Sequence, residues 1–345
     1  MHFITMKEPD MTKTVLLTGV TGFIAKRIAL DLLNAGHTVR GSLRSTARAD
    51  EVRDAIRPHL TDPAALDRLN FVELDLTRDD GWPEAAQGCD VLMHTASPFP
   101  MASPKDENDI IRPAVDGTLR ALRAAHAAGI TRVVLTSSAV AIEANDKPNP
   151  QTPANWTDVN NPRASTYYKS KTLAERAAWD FVAAHPEMQL TTVNPALVLG
   201  TPLDRHYGTS LNLIERLLSG KDPAMPNLGF AIVDIVDVSA MHIAAMDRPA
   251  TAGHRYIAAA ESFTMPEIAT HLARAYPNRK ISTRQAPGWL LRVLALFDPA
   301  IRTILPQLGH KPVFDTSTTI RDLGVAFTPA TTAIDRAAAA AVARD

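Results

Sequence analysis

Apolar positions along the chain follow two alternating rhythms: short aliphatic blocks, and longer stretches in which apolar residues recur every three or four positions. "TVLLTG" (14–19) predicts a buried strand, and 23–35 a helix closed by Gly36. "HTVRGSLR" (37–44) is a second strand, followed by a polar helix from about residue 49 to 60. "NFVELDL" (70–76), "DVLMHTAS" (90–97), "RVVLTSS" (132–138) and "LTTVNPALV" (190–198) supply four more strands, with helices over 109–128 and 166–184. This alternation predicts an α/β fold of parallel βαβ units in a Rossmann-like doubly wound sheet, with ligands at the carboxyl ends of its strands.

Past residue 200 prolines and short helices dominate, as in "GKDPAMPNLG" (220–229) and "LFDPAIRTILPQLGHKPVF" (296–314). The run "FAIVDIVDVSAMHIAAM" (230–246) suits a buried strand and helix that return to the first half. The expected division is a first domain over 11–200 with a return segment at about 230–260, and a smaller C-terminal lobe from 201–229 and 261–345. The alanine-rich end, 333–344, reads as a terminal helix.

Composition then narrows the class. A chain of 345 residues, 46% hydrophobic and 21% charged, is an ordinary soluble globular protein. A net charge of -1 leaves no electrostatic footprint for nucleic acid or an anionic membrane. One cysteine, Cys89, excludes an internal disulfide framework and fits a reducing compartment. The opening "MHFITMKEPDMTK" carries acids and no long apolar run, so no secretory signal is expected. No stretch reaches the roughly 20 apolar residues of a membrane span. The expectation is a cytoplasmic protein, monomeric or homodimeric, with a small-molecule substrate.

Gly19, Gly22 and Ala25 follow the first strand and open a helix. Gly19 permits a tight turn, Gly22 a close backbone approach to a pyrophosphate, and Ala25 close helix packing. Alone, this pattern also fits a plain strand-to-helix connection; Lys26 is outside a Gly-Lys-Ser/Thr phosphate loop and reads as a solvated helix position. The second strand ends without the acid that usually meets a ribose 2′-hydroxyl; Arg40, Arg44 and Arg48 are candidate 2′-phosphate partners, and Arg44 stands at the strand end. Asp75 ends the third strand, where an adenine edge would lie.

Tyr167 and Lys171 are four apart, on one helix face. A nearby ammonium favours the phenolate and would lower the tyrosine pKa, making Tyr167 a general acid toward a carbonyl oxygen. Tyr168 and Lys169 are decoys on other faces. Ser137 and Ser138 end a strand at the ligand edge and offer a hydroxyl to the same oxygen. Eleven histidines form no metal-ligand motif, so no metal is expected. No Gly-x-Ser-x-Gly elbow is present. His94 reads as a satisfied core residue, His206 and Tyr207 as candidate substrate contacts, and Met225 and Trp289 as candidate pocket residues.

The order of glycine turn, strand-end serines, then Tyr and Lys on the next helix resembles the extended short-chain dehydrogenase/reductase family. Within it, the segments "TGVTGFIA", "VRGSLR", "LDLT", "PAVDGTL", "RVVLTSSA", "NWTD", "YYKSKTLAE" and "NPALVLG" resemble the dihydroflavonol reductase and cinnamoyl-CoA reductase-like branch. The likeness covers residues 14–200, then thinly 233–243 and 315–324.

The resemblance implies an NADP(H)-binding first domain, a C-terminal substrate-binding lobe and reduction of an aldehyde or ketone. It makes Tyr167 the proton donor and Lys171 its partner, also on the nicotinamide ribose, and of the two serines it selects Ser138. It places Gly19, Gly22, Phe23 and Ile24 at the pyrophosphate, Arg44 at the 2′-phosphate, and Asp75 and Leu76 at the adenine. Thr95, Ala96 and Ser97 would follow the ribose and nicotinamide side, Pro195 and Val198 the nicotinamide, and Ser210 a phosphate. Two positions depart from the pattern: Glu143 stands where the family often has Asn, and Asp116 where an Asn-bearing helix relays protons. A nucleotide-sugar epimerase or dehydratase with retained NAD, and a non-catalytic dinucleotide sensor, are the alternatives.

Overall fold

The structure is a computed structural model describing residues 12–98, 106–208 and 210–344. The opening segment through residue 11 therefore lies outside the described residues, together with most of the stretch read for a secretory signal. The strands are β1 (Thr14–Thr18), β2 (Thr38–Leu43), β3 (Leu69–Glu73), β4 (Val91–His94), β5 (Arg132–Thr136), β6 (Gln189–Pro195), β7 (Leu197–Leu199), β8 (Gly229–Asp234), β9 (Arg255–Ala258) and β10 (Glu261–Thr264). The helices are α1 (Phe23–Asn34), α2 (Ala49–Ile56), α3 (Trp82–Ala86), α4 (Asn108–Ala127), α5 (Val140–Glu143), α6 (Thr166–Ala183) and α7 (Ser210–Leu218). They continue as α8 (Ile235–Asp247), α9 (Met265–Ala275), α10 (Gly288–Leu294), α11 (Pro299–Ile304), α12 (Ser317–Leu323) and α13 (Ala330–Val342).

Seven strands form one parallel sheet in the order β3-β2-β1-β4-β5-β6-β9, the Rossmann-like arrangement expected from the sequence. Its inner strands are buried on both faces, as parallel strands flanked by helices are, while the edge strand β3 is half-exposed. Along β1, Val15 and Leu17 pack with Ile28 and Leu32 of α1 and Met241 of α8; Leu16 points the other way, among Trp82 and Leu122. Strand order reverses between β1 and β4, and that reversal opens a crevice at their carboxyl ends. A second sheet, β10-β8-β7, carries its own core with α7, α9 and α13. The alanine-rich terminal helix buries Ala333, Ala337 and Ala341 along one face against it. Among the described residues no helix is long and apolar enough to cross a membrane.

Three boundaries differ from the sequence reading. The block 190–198 is two strands, because Pro195 has no N–H to extend a ladder; Ala196 donates instead to the Ala258 carbonyl at 3.0 Å, and β7 joins the small sheet. The strand of 230–246 also sits in the small sheet, while its helix α8 packs on the large one, whose edge is β9. The polar helix stops at Ile56: Pro58 has no N–H to continue the i→i−4 ladder, and the chain passes into a 3₁₀ turn.

Candidate active site

The crevice starts from the glycine turn. Gly19 has φ +69°, and a Cβ there would lie 3.0 Å from the Ala96 Cα, so both backbone sign and space demand glycine. Gly22 precedes α1, whose first turn carries no acid and no side-chain cap. Its amides and the positive end of the helix dipole therefore face the crevice without a protein anion to satisfy them.

Two adjoining cavities share Gly19, Gly22, Thr95 and Ser97. One, about 430 Å³, is lined by Arg44, Arg48, Asp75, Leu76 and Ala96. Arg44 is exposed and makes no hydrogen bond or ion pair with a described residue, whereas Arg48 is held by Glu51 at 2.9 Å. Arg40 points elsewhere, donating to the carbonyls of Ala85 and Gln87. Asp75 accepts from the Thr77 hydroxyl at 2.7 Å and backbone N–H at 2.8 Å, which lowers its pKa. The other cavity, about 320 Å³, brings Phe23, Ile24, Pro195, Val198 and Ser210 together with Ser138, Tyr167 and Lys171. The positions that the resemblance assigned to cofactor and catalysis thus line these two adjoining cavities, whereas Arg40 does not.

The two strand-end serines have separate tasks. Ser137 donates to Glu175 at 2.5 Å, while Ser138 hydrogen-bonds Tyr167. Burial drives the Tyr167 pKa up to about 12, with Ser138 opposing. The shift runs opposite to the lowering expected from Lys171: burial of a phenolate outweighs the Ser138 hydrogen bond, which leaves Tyr167 protonated at neutral pH. Lys171 lies on the same face of α6, and burial pulls its pKa down to about 8, with Glu175 opposing. Burial would raise Glu175, but Arg255 at 2.6 Å, Ser137 and Asn194 outweigh it and hold the carboxylate charged.

His94 is satisfied only in part. The Thr18 hydroxyl accepts from the N–H groups of Thr95 and Ala96 at 3.1 Å, so its proton goes to His94 Nδ1 at 2.9 Å. That fixes the neutral imidazole with its proton on Nε2, which is buried without a partner among the described residues. Burial, then the Lys171 charge, push its pKa down to about 3. His94 borders a pocket of about 10 Å³ shared with Lys171, Ser137 and Thr118.

Beyond Tyr167 opens a third cavity of about 460 Å³, built from apolar side chains including Leu213, Leu228, Phe230 and Ile304. Its buried acid is Glu143, which accepts the Tyr168 hydroxyl at 2.5 Å; Ser138, Tyr167 and Gln307 are further polar groups of its wall. Burial raises the Glu143 carboxyl to about 7 against that hydrogen bond. The decoy Tyr168 is therefore part of the wall of this chamber, a place that sequence spacing did not signal. Lys169 is a half-buried partner of Glu107.

The remaining singled-out residues fall in different places. Lys26 is not solvated: it is 2% exposed and pairs with Glu51 and Asp204, because the chain after β7 folds across it. Asp116 is an exposed residue of α4. His206 lies outside the chamber beside Lys26, and Tyr207 faces the glycine turn. Met225 is packed in the second core, and Trp289 is 66% exposed; neither lines a described cavity of the crevice.

Comparison with known proteins agrees with this geometry. A model of the NAD dependent epimerase/dehydratase family matches residues 15–259. An anthocyanidin reductase ((2S)-flavan-3-ol-forming) of Vitis vinifera is 33% identical over 294 residues, 80% of this chain and 85% of the relative. Cinnamoyl-CoA reductase 1 of Arabidopsis thaliana is 32% identical over 278 residues, 79% of this chain and 77% of the relative. The crystal structure of yeast methylglyoxal/isovaleraldehyde reductase Gre2 complexed with NADPH superposes with a TM-score of 0.79 at 26% identity, covering 96% of this chain and 98% of that one. The chain belongs to the NAD dependent epimerase/dehydratase family, in the branch that holds the dihydroflavonol and cinnamoyl-CoA reductases.

Proposed function

We propose that the chain is an NADPH-dependent reductase that converts an aldehyde or ketone to the alcohol, with Tyr167 as general acid. The carrying observation is the meeting of Ser138, Tyr167 and Lys171 at the junction of the glycine-turn crevice and the apolar chamber. The crevice suits the dinucleotide: a turn closed to any Cβ, an uncapped helix start for the pyrophosphate, and Arg44 at the ribose end with no hydrogen bond or ion pair among the described residues. Arg44 there favours a 2′-phosphate over the retained NAD of an epimerase. A bound nicotinamide would supply the hydride.

The remaining work falls to the chain. Ser138 and Tyr167 hydrogen-bond the carbonyl oxygen as negative charge develops on it. Tyr167, protonated through neutral pH, delivers its proton to that oxygen. Lys171, charged below about 8, stabilises the phenolate left behind. Apolar walls exclude water and select a neutral aromatic or branched carbonyl compound. The test is a panel of such carbonyls run with NADPH and NADH in parallel. The expected result is cofactor consumption equal to alcohol formed, faster with NADPH. No net consumption with any carbonyl, or equal rates with both cofactors, contradicts the reading.

A further inference from the structure

Lys26, buried behind the glycine turn, is a charged group that this chemistry leaves unused. It stands on the first turn of α1, just beyond the glycines. An ammonium withdrawn from water needs anions beside it, and this one has two, from different parts of the chain. Glu51 on α2 accepts at 2.9 Å, and Asp204, in the segment leaving β7, accepts on the other side. Lys26 also reaches the His206 carbonyl at 3.5 Å, and Asp204 accepts the His206 N–H at 2.8 Å, so the turn at 204–206 is held by side chain and backbone. Immediately after that turn, Tyr207 and Gly208 line the cavity together with Gly19, Gly22 and Phe23.

On its other side Glu51 accepts from both Nε and Nη2 of Arg48, which lines the cavity at the end of β2. Alternating charges, Arg48, Glu51, Lys26 and Asp204, therefore run behind the glycine turn from one cavity to the other. Glu51, Asp204 and His206 present ligand atoms within 4.8 Å of one another, and the Lys26 ammonium is the cation among them. Without it, two carboxylates would face each other and push the 204–208 segment outward.

We propose that Lys26, through Asp204 and Glu51, is a positioning residue that fastens the 204–208 segment against the glycine turn and so closes the crevice over the pyrophosphate of a bound dinucleotide. The proposal rests on the NADPH reading above and adds the element that sets how tightly the cofactor is held.

The test uses Lys26→Met, Asp204→Asn and the double variant in the full chain. It measures NADPH dissociation by nicotinamide fluorescence and tryptic cleavage after the exposed Arg205, with circular dichroism as the folding control. Lys26→Met should weaken NADPH by about tenfold or more and speed Arg205 cleavage of the cofactor-free protein. At saturating NADPH it should keep kcat within about threefold, since the change lies in binding and not in chemistry. Asp204→Asn should act in the same direction, and the double variant should bind NADPH no worse than Lys26→Met, because one interaction is lost only once. Wild-type affinity and cleavage in folded Lys26→Met, or additive losses in the double variant, overturn the proposal. If Lys26→Met does not fold, Asp204→Asn carries the same two readouts. If wild-type protein itself does not bind NADPH, the cofactor reading fails, while the cleavage comparison still decides whether Lys26 fastens the segment.

Discussion

Lys26 and Lys171 are both buried lysines on helices beside the same crevice, at 2% and 8% exposure, yet their surroundings differ in kind. Lys26 has a carboxylate on each side. Lys171 has no hydrogen bond or ion pair to a described residue; its nearest charge, Glu175, is committed to Arg255, Ser137 and Asn194. A buried cation with matched anions holds segments together. One left short of partners at a cavity floor has a pKa moved toward the working range, the mark of a group arranged for chemistry. The expense of burying charge is met by structure at Lys26 and by the reaction at Lys171.

Substitutions sharpen that contrast. Lys171→Met should lower kcat/KM by about 10²–10³-fold, the range for loss of one preorganised electrostatic or acid–base group, measured as NADPH oxidation with a neutral aldehyde. A loss confined to KM for NADPH would make Lys171 a second fastener like Lys26. In wild-type protein the same rate should be full below about pH 8 and fall as pH rises through it, because burial depresses the ammonium pKa and the deprotonated lysine can no longer stabilise the phenolate. A profile flat to pH 10 would detach the rate from Lys171.

Arg44→Ala should weaken NADPH by about tenfold while leaving NADH unchanged, as loss of one charge-assisted hydrogen bond to phosphate predicts. Equal weakening of both cofactors would remove the 2′-phosphate role. The smallest effect belongs to Glu143. Its carboxyl, raised to about 7, is neutral below that pH and charged above it, so KM for an apolar carbonyl should rise as pH passes through 7. Glu143→Gln should flatten that rise; a KM in wild-type protein indifferent to pH would place Glu143 outside the substrate's reach.

How much of this was legible in the sequence follows the same division. The large sheet, the glycine turn and the Tyr167/Lys171 pair were readable because each depends on spacing within one or two consecutive elements. Periodicity of two assigned Val15 and Leu17 to one face and Leu16 to the other, and four residues of helix aligned Tyr167 with Lys171. Lys26 was misread because its partner Asp204 is 178 positions away, on a segment whose path no local pattern specifies. The chamber was illegible for the same reason: Leu213, Phe230 and Ile304 converge from separate segments, while Met225 and Trp289 carried the same apolar signal without lining it. Tyr168 and Tyr167 are neighbours of identical type. Only the position of Glu143 on α5 tells that one is held in the chamber wall and the other faces Ser138.

The central claim is that Tyr167 delivers the proton to the reduced carbonyl. Single-turnover reduction by Tyr167→Phe, with NADPH binding measured alongside, tests it most directly. The account predicts near wild-type NADPH affinity and a hydride-transfer rate lowered by about 10²–10⁴-fold, the usual share of a positioned general acid. Reduction at the wild-type rate by the folded variant would contradict it.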